Sequence, residues 1–137
     1  HLSIRRQRQM CIRDRFKGEE FIGSVKSLCE KEQLTSGRVQ AIGAVQRALL
    51  GYFDVKEKKY IHFECKGELV SCMGNIAEKN GEIVVHAHAV IGDRNGDCKG
   101  GHIVSAETSA TIELFIDTGL NLRRARDTET DLYLLDL

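Results

Sequence analysis

The sequence predicts an α+β domain with a mostly antiparallel β-sheet of about seven strands and one main helix. An apolar helical stripe lies near the start of the chain, and short apolar segments bounded by turn residues fill most of the remainder. Hairpins that follow a single helix are typical of α+β proteins. The length of 137 residues suits one domain with a sizeable core, which we place at residues 16–137.

The helix is predicted at about residues 19–34. Apolar side chains recur there at intervals of three and four, namely Phe21, Ile22, Val25, Leu28 and Cys29. Gly18-Glu19-Glu20 would supply acidic residues to the first turn, where the helix dipole favours negative charge. Ser36-Gly37 would end the helix.

The predicted strands depend on turns of glycine, asparagine and aspartate, because the chain has no proline. Strand-like segments lie at 38–46, 48–54, 60–63, 69–76, 83–91, 103–104, 108–116 and 132–137. The first two segments are equally consistent with one long strand bent at Arg47. Both faces of segment 83–91 are largely apolar, so we expect this strand to be covered on both sides.

Three histidines lie close together in the second half of the chain. His86 and His88 are two residues apart and therefore share one face of a strand. His102 follows a turn and a pair of glycines. Whether it joins the other two depends on the length of that turn.

Two turns are possible between the histidine strand and the next one. A two-residue turn at Asn95-Gly96 would pair His88 with Ile103 and place His102 on the opposite face. A three-residue loop, Arg94-Asn95-Gly96, would pair His88 with His102, with Gly96 in the left-handed conformation. We favour the three-residue loop, because it puts Asp93 at the first and Gly96 at the last position of a type I turn, as that turn prefers. All three imidazoles would then converge.

Three converging imidazoles form the ligand set of a divalent metal, and zinc is the expected ion. We therefore predict His86, His88 and His102 as metal ligands. The structural glycines predicted near this site are Gly92, Gly96, Gly100 and Gly101. The alternative is a set of half-buried, hydrogen-bonded histidines without a metal, since a buried imidazole needs a polar partner in either case. The sequence identifies no catalytic and no DNA-binding residue.

Composition and charge limit the classes of function. The five cysteines are scattered without a Cys-x-x-Cys pair, which favours a reduced, cytoplasmic protein. No apolar run approaches the ~18 residues of a membrane span. Residues 1–15 hold five arginines and one aspartate, which leaves 15 basic and 19 acidic residues in 16–137. A domain that binds DNA by itself is normally basic, so we expect weak DNA binding at most.

Residues 1–15 are predicted to be non-native. The segment has neither strand alternation nor a helical stripe, and residues 5–15 resemble a translated sequencing adapter. We therefore expect the native first strand of the domain to be missing.

Eight short motifs resemble those of the plant and prokaryote conserved domain, or PPC domain. They are Gly18-Glu19-Glu20, Ser36-Gly37, Ala41-Ile42-Gly43-Ala44-Val45, Gly51-Tyr52-Phe53-Asp54, Gly74-Asn75-Ile76, His86-Ala87-His88-Ala89, Gly92-Asp93 and Gly100-Gly101-His102. The resemblance covers about Phe16 to Leu137 and implies a mostly antiparallel sheet with helix packing, and a homotrimer. Stand-alone prokaryotic members carry the same His-x-His and Gly-Gly-His pattern, and some contain a metal. The resemblance thus implies the same three ligands.

The resemblance also implies an association with DNA. Plant members accompany AT-hooks in nuclear proteins, and prokaryotic members are commonly labelled DNA-binding by association. A chain without proline has no AT-hook, so the minor-groove element is absent. The strand that the family places before Gly18 is replaced by the adapter-like segment, which we expect to leave an unpaired sheet edge.

Three functions are consistent with these features. The first is a small stand-alone PPC protein with a three-histidine divalent-metal site, regulatory and DNA-associated. The second is a zinc-dependent enzyme that acts on an unknown small molecule through a metal-bound water, whose pKa such a site lowers to about 7. The third is a ligand-binding module with purely structural histidines. A fold resemblance does not decide among them.

Overall fold

The computed structural model describes residues 10–13, 18–119 and 121–136. The elements, in chain order, are β1 (Met10–Arg13), α1 (Phe21–Lys31), β2 (Gly37–Asp54), β3 (Lys59–Lys79), β4 (Glu82–Gly92), β5 (Cys98–Asp117), β6 (Arg124–Arg126) and β7 (Tyr133–Leu135). The predicted α+β class, with one main helix and antiparallel strands, is confirmed.

Helix α1 is shorter than the predicted range of 19–34. Glu20 caps it from outside the first turn, because its carboxylate accepts the N–H groups of Ile22 and Gly23, each at 2.8 Å. The helix stops before Gln33, which has a left-handed φ of 57°. Its apolar face, with Phe21, Val25 and Cys29 buried, packs against the strands. No helix in the described ranges is long and apolar enough to cross a membrane.

Four long strands, rather than seven strands in one sheet, build the body of the protein. Antiparallel pairings join β2 to β3, β3 to β4, β4 to β5, and β5 back to β2, so the hydrogen bonds close into a ring. Strands β6 and β7 form a separate two-stranded sheet. The predicted strand count in one sheet was wrong because bulges let a strand continue where its apolar pattern breaks.

Strand β2 shows how a bulge hides this continuity. The segments predicted at 38–46 and 48–54 are one strand whose register shifts between Val45 and Ala48. The alternative of a single strand bent near Arg47 is therefore the correct one. The same strand pairs with β3 on one side and β5 on the other.

The core lies between α1 and the inner face of the long strands. Its largest fully buried side chains are Phe21, Leu50, Leu69, Ile76, Ile91, Ile112, Leu114 and Ile116. Strand β4 contributes only one face to this core, through Ala87, Ala89 and Ile91. On its other face Val84 and His86 are half-buried, whereas His88 is exposed and Val90 is 37% exposed, so the expected cover on both sides was wrong for the second half of the strand. The single described helix covers one face of the strands only.

The end of β5 is paired with β1. Met10 lies opposite Asp117 and Arg13 opposite Leu114, so over these residues the expected unpaired edge was wrong. Residues 1–9 and 14–17 lie outside the described residues. The non-native origin of 1–15 therefore stays a prediction.

Candidate metal centre

The turn before β5 is a three-residue loop, Arg94-Asn95-Gly96. The N–H of Asp93 donates to the carbonyl oxygen of Asp97 at 2.8 Å. The N–H of Gly96 donates to the carbonyl oxygen of Asp93 at 3.0 Å. Gly96 has a φ of 83°, the left-handed conformation that glycine adopts without steric cost. The Asp93 carboxylate also accepts the N–H groups of Asn95 and Asp97. The three-residue loop, which we favoured over the two-residue turn, is therefore confirmed.

The loop sets the register of the three histidines. His88 lies directly opposite His102, and His86 is the next residue of β4 on the same face. The ring centroids are 5.1 Å apart for His86 and His88, 5.2 Å for His86 and His102, and 5.8 Å for His88 and His102. Each histidine has one ring nitrogen that lies within 4.8 Å of the corresponding nitrogens of the other two histidines. The predicted convergence is therefore present.

His86 is held by a group that the sequence did not point to. The guanidinium of Arg124 lies with Nη2 at 3.1 Å from Nδ1 of the half-buried His86. Arg124 is itself fixed by the carbonyl oxygen of Tyr133 at 2.8 Å and by Oδ1 of Asn75 at 2.7 Å. Burial, followed by the charge of Arg124, lowers the pKa of His86 to about 4. At neutral pH this imidazole is therefore uncharged.

His102 has a buried nitrogen without a partner. Its Nδ1 makes no hydrogen bond, and such an atom is costly away from water. Burial, with further contributions from neighbours that include His88 and His62, lowers the pKa of His102. The ring of Tyr60 lies 5.1 Å from that of His102 and 6.0 Å from that of His62. His102 is thus a neutral imidazole with unused hydrogen-bonding capacity.

The predicted glycines lie on the strands and the turn around the histidines. Gly92 pairs with Cys98, and Gly100 pairs with Val90. Among these glycines, Gly101 has the clearest steric need to lack a side chain, because a Cβ there would lie 2.7 Å from the carbonyl oxygen of Gly51 on β2. Its lack of a side chain lets β5 approach β2 beside His102.

A cavity of about 260 Å³ adjoins the cluster on the side of β6 and β7. His86 and His102 line it together with Tyr60, Arg124 and residues of β7. Sequence reasoning missed Tyr60, Asn75 and Arg124. Arg124 stands between Arg123 and Arg126 in the chain, shortly before several acidic residues. Arg126 pairs with one of these, because its Nε donates to Asp131 at 2.7 Å. Arg124 instead turns to Tyr133, Asn75 and His86.

The donor set fits a divalent metal on three grounds. The pKa values of His86 and His102 are lowered, so both rings are uncharged at neutral pH, the form that a metal needs, and a metal would displace Arg124 from Nδ1 of His86. The unpartnered Nδ1 of His102 is a polar atom that needs a partner. The three ring nitrogens are close enough to share one ion after small side-chain movements. Fold and site define a small α+β protein with a three-histidine candidate metal centre.

Comparison with known proteins places this chain in a family. The profile of the Plants and Prokaryotes Conserved (PCC) domain, which is the PPC family, matches residues 11–119. The chain belongs to this family. Among proteins with curated descriptions, none matches the sequence significantly.

Solved structures share the fold. A plant- and prokaryote-conserved (PPC) protein of Pyrococcus horikoshii is 30% identical, with a TM-score of 0.87 over 94% of this chain and 92% of that one. A metal-containing protein of Archaeoglobus fulgidus is 28% identical, with a TM-score of 0.85 over 94% of each chain. A proposed DNA-binding protein of Bacteroides thetaiotaomicron is 21% identical, with a TM-score of 0.87 over 95% and 97%, and shows the fold alone.

Proposed function

We propose that this protein is a metal-binding PPC module in which His86, His88 and His102 hold one divalent ion, with zinc as the preferred metal. The observation that carries the proposal is the approach of three ring nitrogens to within 4.8 Å on two paired strands. The metal-containing Archaeoglobus fulgidus protein, which shares the fold, supports it. Imidazole ligands suit zinc, and a set of three leaves a coordination position for a further group.

Elemental analysis of the purified protein tests this proposal. We expect one divalent metal per chain, and loss of that metal in His86→Ala, His88→Ala and His102→Ala. His62→Ala is the matched control, because His62 is an exposed histidine of the same region outside the cluster. A protein without zinc, iron or nickel, together with His86→Ala of unchanged stability, would refute the metal site.

A zinc-dependent enzyme is the second candidate, because the cluster adjoins a cavity that could admit a small molecule. Zinc held by three neutral imidazoles lowers the pKa of bound water to about 7. The chain would contribute Tyr60 and Arg124 beside the histidines. Screening the metal-loaded protein against small esters, lactones and phosphoesters tests this candidate. Turnover that disappears in His88→Ala would support it.

The DNA-associated role follows from family membership and not from the charge of this chain. Residues 16–137 carry a net charge of −4, from 15 basic and 19 acidic residues. Phosphate neutralisation by basic side chains supplies most non-specific affinity. We therefore expect weak, salt-sensitive binding to duplex DNA. Salt-insensitive nanomolar binding would show that the charge argument is wrong.

A homotrimer is part of the same proposal. Ile42 and Met73 are 49% and 54% exposed and line one groove across β2 and β3. Met73 lies opposite His88 on β4, and Val90 follows on the same face. Covering this apolar band would stabilise an assembly. Light scattering on a size-exclusion column should give the mass of three chains, and Met73→Glu should reduce it.

A further inference from the structure

We propose that the cavity beside the histidines binds a small carboxylate with a short apolar tail, and that Arg124 receives the carboxylate. The site lies between β4 and the β6–β7 hairpin. This proposal rests on the proposed function in one respect, because His86 and His102 form one wall of the cavity. The anion contact itself involves only residues of this chain and does not require the metal.

The charge of Arg124 has no counter-ion among the described residues. Its partners are a backbone carbonyl, the amide oxygen of Asn75 and a ring nitrogen of His86, all uncharged. Its Nε is buried and makes no hydrogen bond. A partly buried cation without an anionic partner is costly, and an anion entering the cavity would relieve that cost. By contrast, Arg126 on the same strand already pairs with Asp131.

The position of Arg124 is already fixed before any ligand binds. Its three contacts anchor the guanidinium to β7, β3 and β4 at once. Of the five N–H donors of an arginine, these contacts use three. A pre-positioned guanidinium with unused donors loses little entropy when it binds a carboxylate.

The remaining walls of the cavity define the rest of the ligand. They are largely apolar and come from Val84, Val85, Leu132, Tyr133 and Leu134. Lys79, the other charged side chain of the wall, lies 3.8 Å above the ring of Tyr133, and no aspartate or glutamate is among the lining residues. A volume of about 260 Å³ lies just below the range of drug-sized pockets. A short aliphatic acid fits this combination of size, charge and polarity.

The neighbouring histidines favour the same ligand. Imidazole ligands bring no negative charge, so a divalent ion held by the three histidines would add to the positive charge of Arg124 beside them. Such a site attracts an anion more strongly than a neutral molecule. A carboxylate is the ligand class that suits both Arg124 and a hard or borderline metal ion.

Nuclear magnetic resonance titration tests the proposal with butanoate and its neutral isostere butanamide. Butanoate should shift the amide signals of Val84, Val85 and Leu134 saturably in wild-type protein, with and without added zinc. Butanamide should bind at least about tenfold more weakly, because it cannot form charge-assisted hydrogen bonds with Arg124. Inorganic phosphate should also bind more weakly, because it leaves the apolar wall unfilled.

Two variants locate the anion contact. Arg124→Gln should weaken butanoate at least about tenfold, whereas Arg126→Gln removes the same charge from the same strand and should stay within about twofold. Equal affinity for butanoate and butanamide, or for butanoate and phosphate, overturns the proposal even if Arg124→Gln does not fold. Unchanged binding in a folded Arg124→Gln overturns it as well.

The zinc content of the same samples separates this proposal from the metal site. Butanoate binding through Arg124 in a protein that takes up no zinc refutes the metal site alone. A zinc-loaded protein that does not distinguish butanoate from butanamide refutes the carboxylate site alone.

Discussion

The guanidinium of Arg124 donates a hydrogen bond to Nδ1 of His86 across 3.1 Å. Because arginine has only donors, Nδ1 must be the unprotonated nitrogen, and the neutral ring carries its proton on Nε2. A metal-binding histidine normally donates its second N–H to an acceptor. Arg124 therefore competes with a metal for the free lone pair of His86, and its positive charge repels a cation.

Removing this competition should tighten metal binding. We expect Arg124→Gln to bind zinc about tenfold more tightly than wild type, a magnitude typical of changes next to metal ligands. Competition with a chromophoric chelator measures the affinity. Arg126→Gln is the control, because its charge is paired with Asp131 and the change should leave the affinity unaltered. Weaker zinc binding by Arg124→Gln would mean that Arg124 supports the bound state instead.

Metal-free protein should lose stability as the pH falls from about 6.5 to about 4. The pKa of His86 is lowered to about 4 by burial, then by Arg124, His102 and His88, while the unfolded chain has the ordinary value of about 6.5. Between these values only the unfolded state binds the proton, so acid favours unfolding. Urea unfolding across this range should show the loss.

A variant identifies the source of this pH dependence. In metal-free His86→Gln the loss of stability between pH 6.5 and 4 should be smaller, although His102, with its lowered pKa, retains part of it. The same change at the exposed His62 should alter the slope less than His86→Gln does, because His62 acts only as one of several neighbours that lower the pKa of His102. An unaltered slope in His86→Gln would contradict the assignment.

Gly101→Ala should disturb both stability and the metal site. The new Cβ would lie 2.7 Å from the carbonyl oxygen of Gly51, a backbone atom that cannot move without shifting β2. Overpacking of this kind costs about 1–3 kcal/mol. Urea unfolding and zinc titration measure the two effects. Gly100→Ala, whose nearest contact would be 3.3 Å, should cost less, and equal effects at both positions would count against the steric explanation.

Glu20→Ala should destabilise the junction between α1 and β5. The Glu20 carboxylate accepts the N–H groups of Ile22 and Gly23 at the start of the helix, and that of Ala106 at 3.1 Å. Loss of a helix cap costs about 0.5–2 kcal/mol. Chemical unfolding should show this cost, while the exposed Glu30→Ala stays within about 0.5 kcal/mol. Similar losses in both variants would exclude a capping role.

Much of the histidine cluster could be predicted because its geometry is local. His86 and His88 share a face through the period of a strand, and the loop Arg94-Asn95-Gly96 fixes which residue lies opposite His88. Loop and histidines fall within 17 residues of chain, so turn chemistry alone decides the register. The strand boundaries were harder to predict from the sequence, because bulges such as that between Val45 and Ala48 allow a strand to continue where the apolar alternation is irregular.

The sequence by itself determined the α+β class, the helix near the start and the convergence of His86, His88 and His102, since periodicity and turn preference act over short stretches of chain. Tertiary structure alone decided that the long strands close into a ring, that the outer face of β4 stays exposed at His88 and Val90, and that Arg124 reaches His86. Arg124 follows His86 by 38 residues. Their contact depends on how the β6–β7 hairpin packs against β3 and β4, which no local pattern specifies.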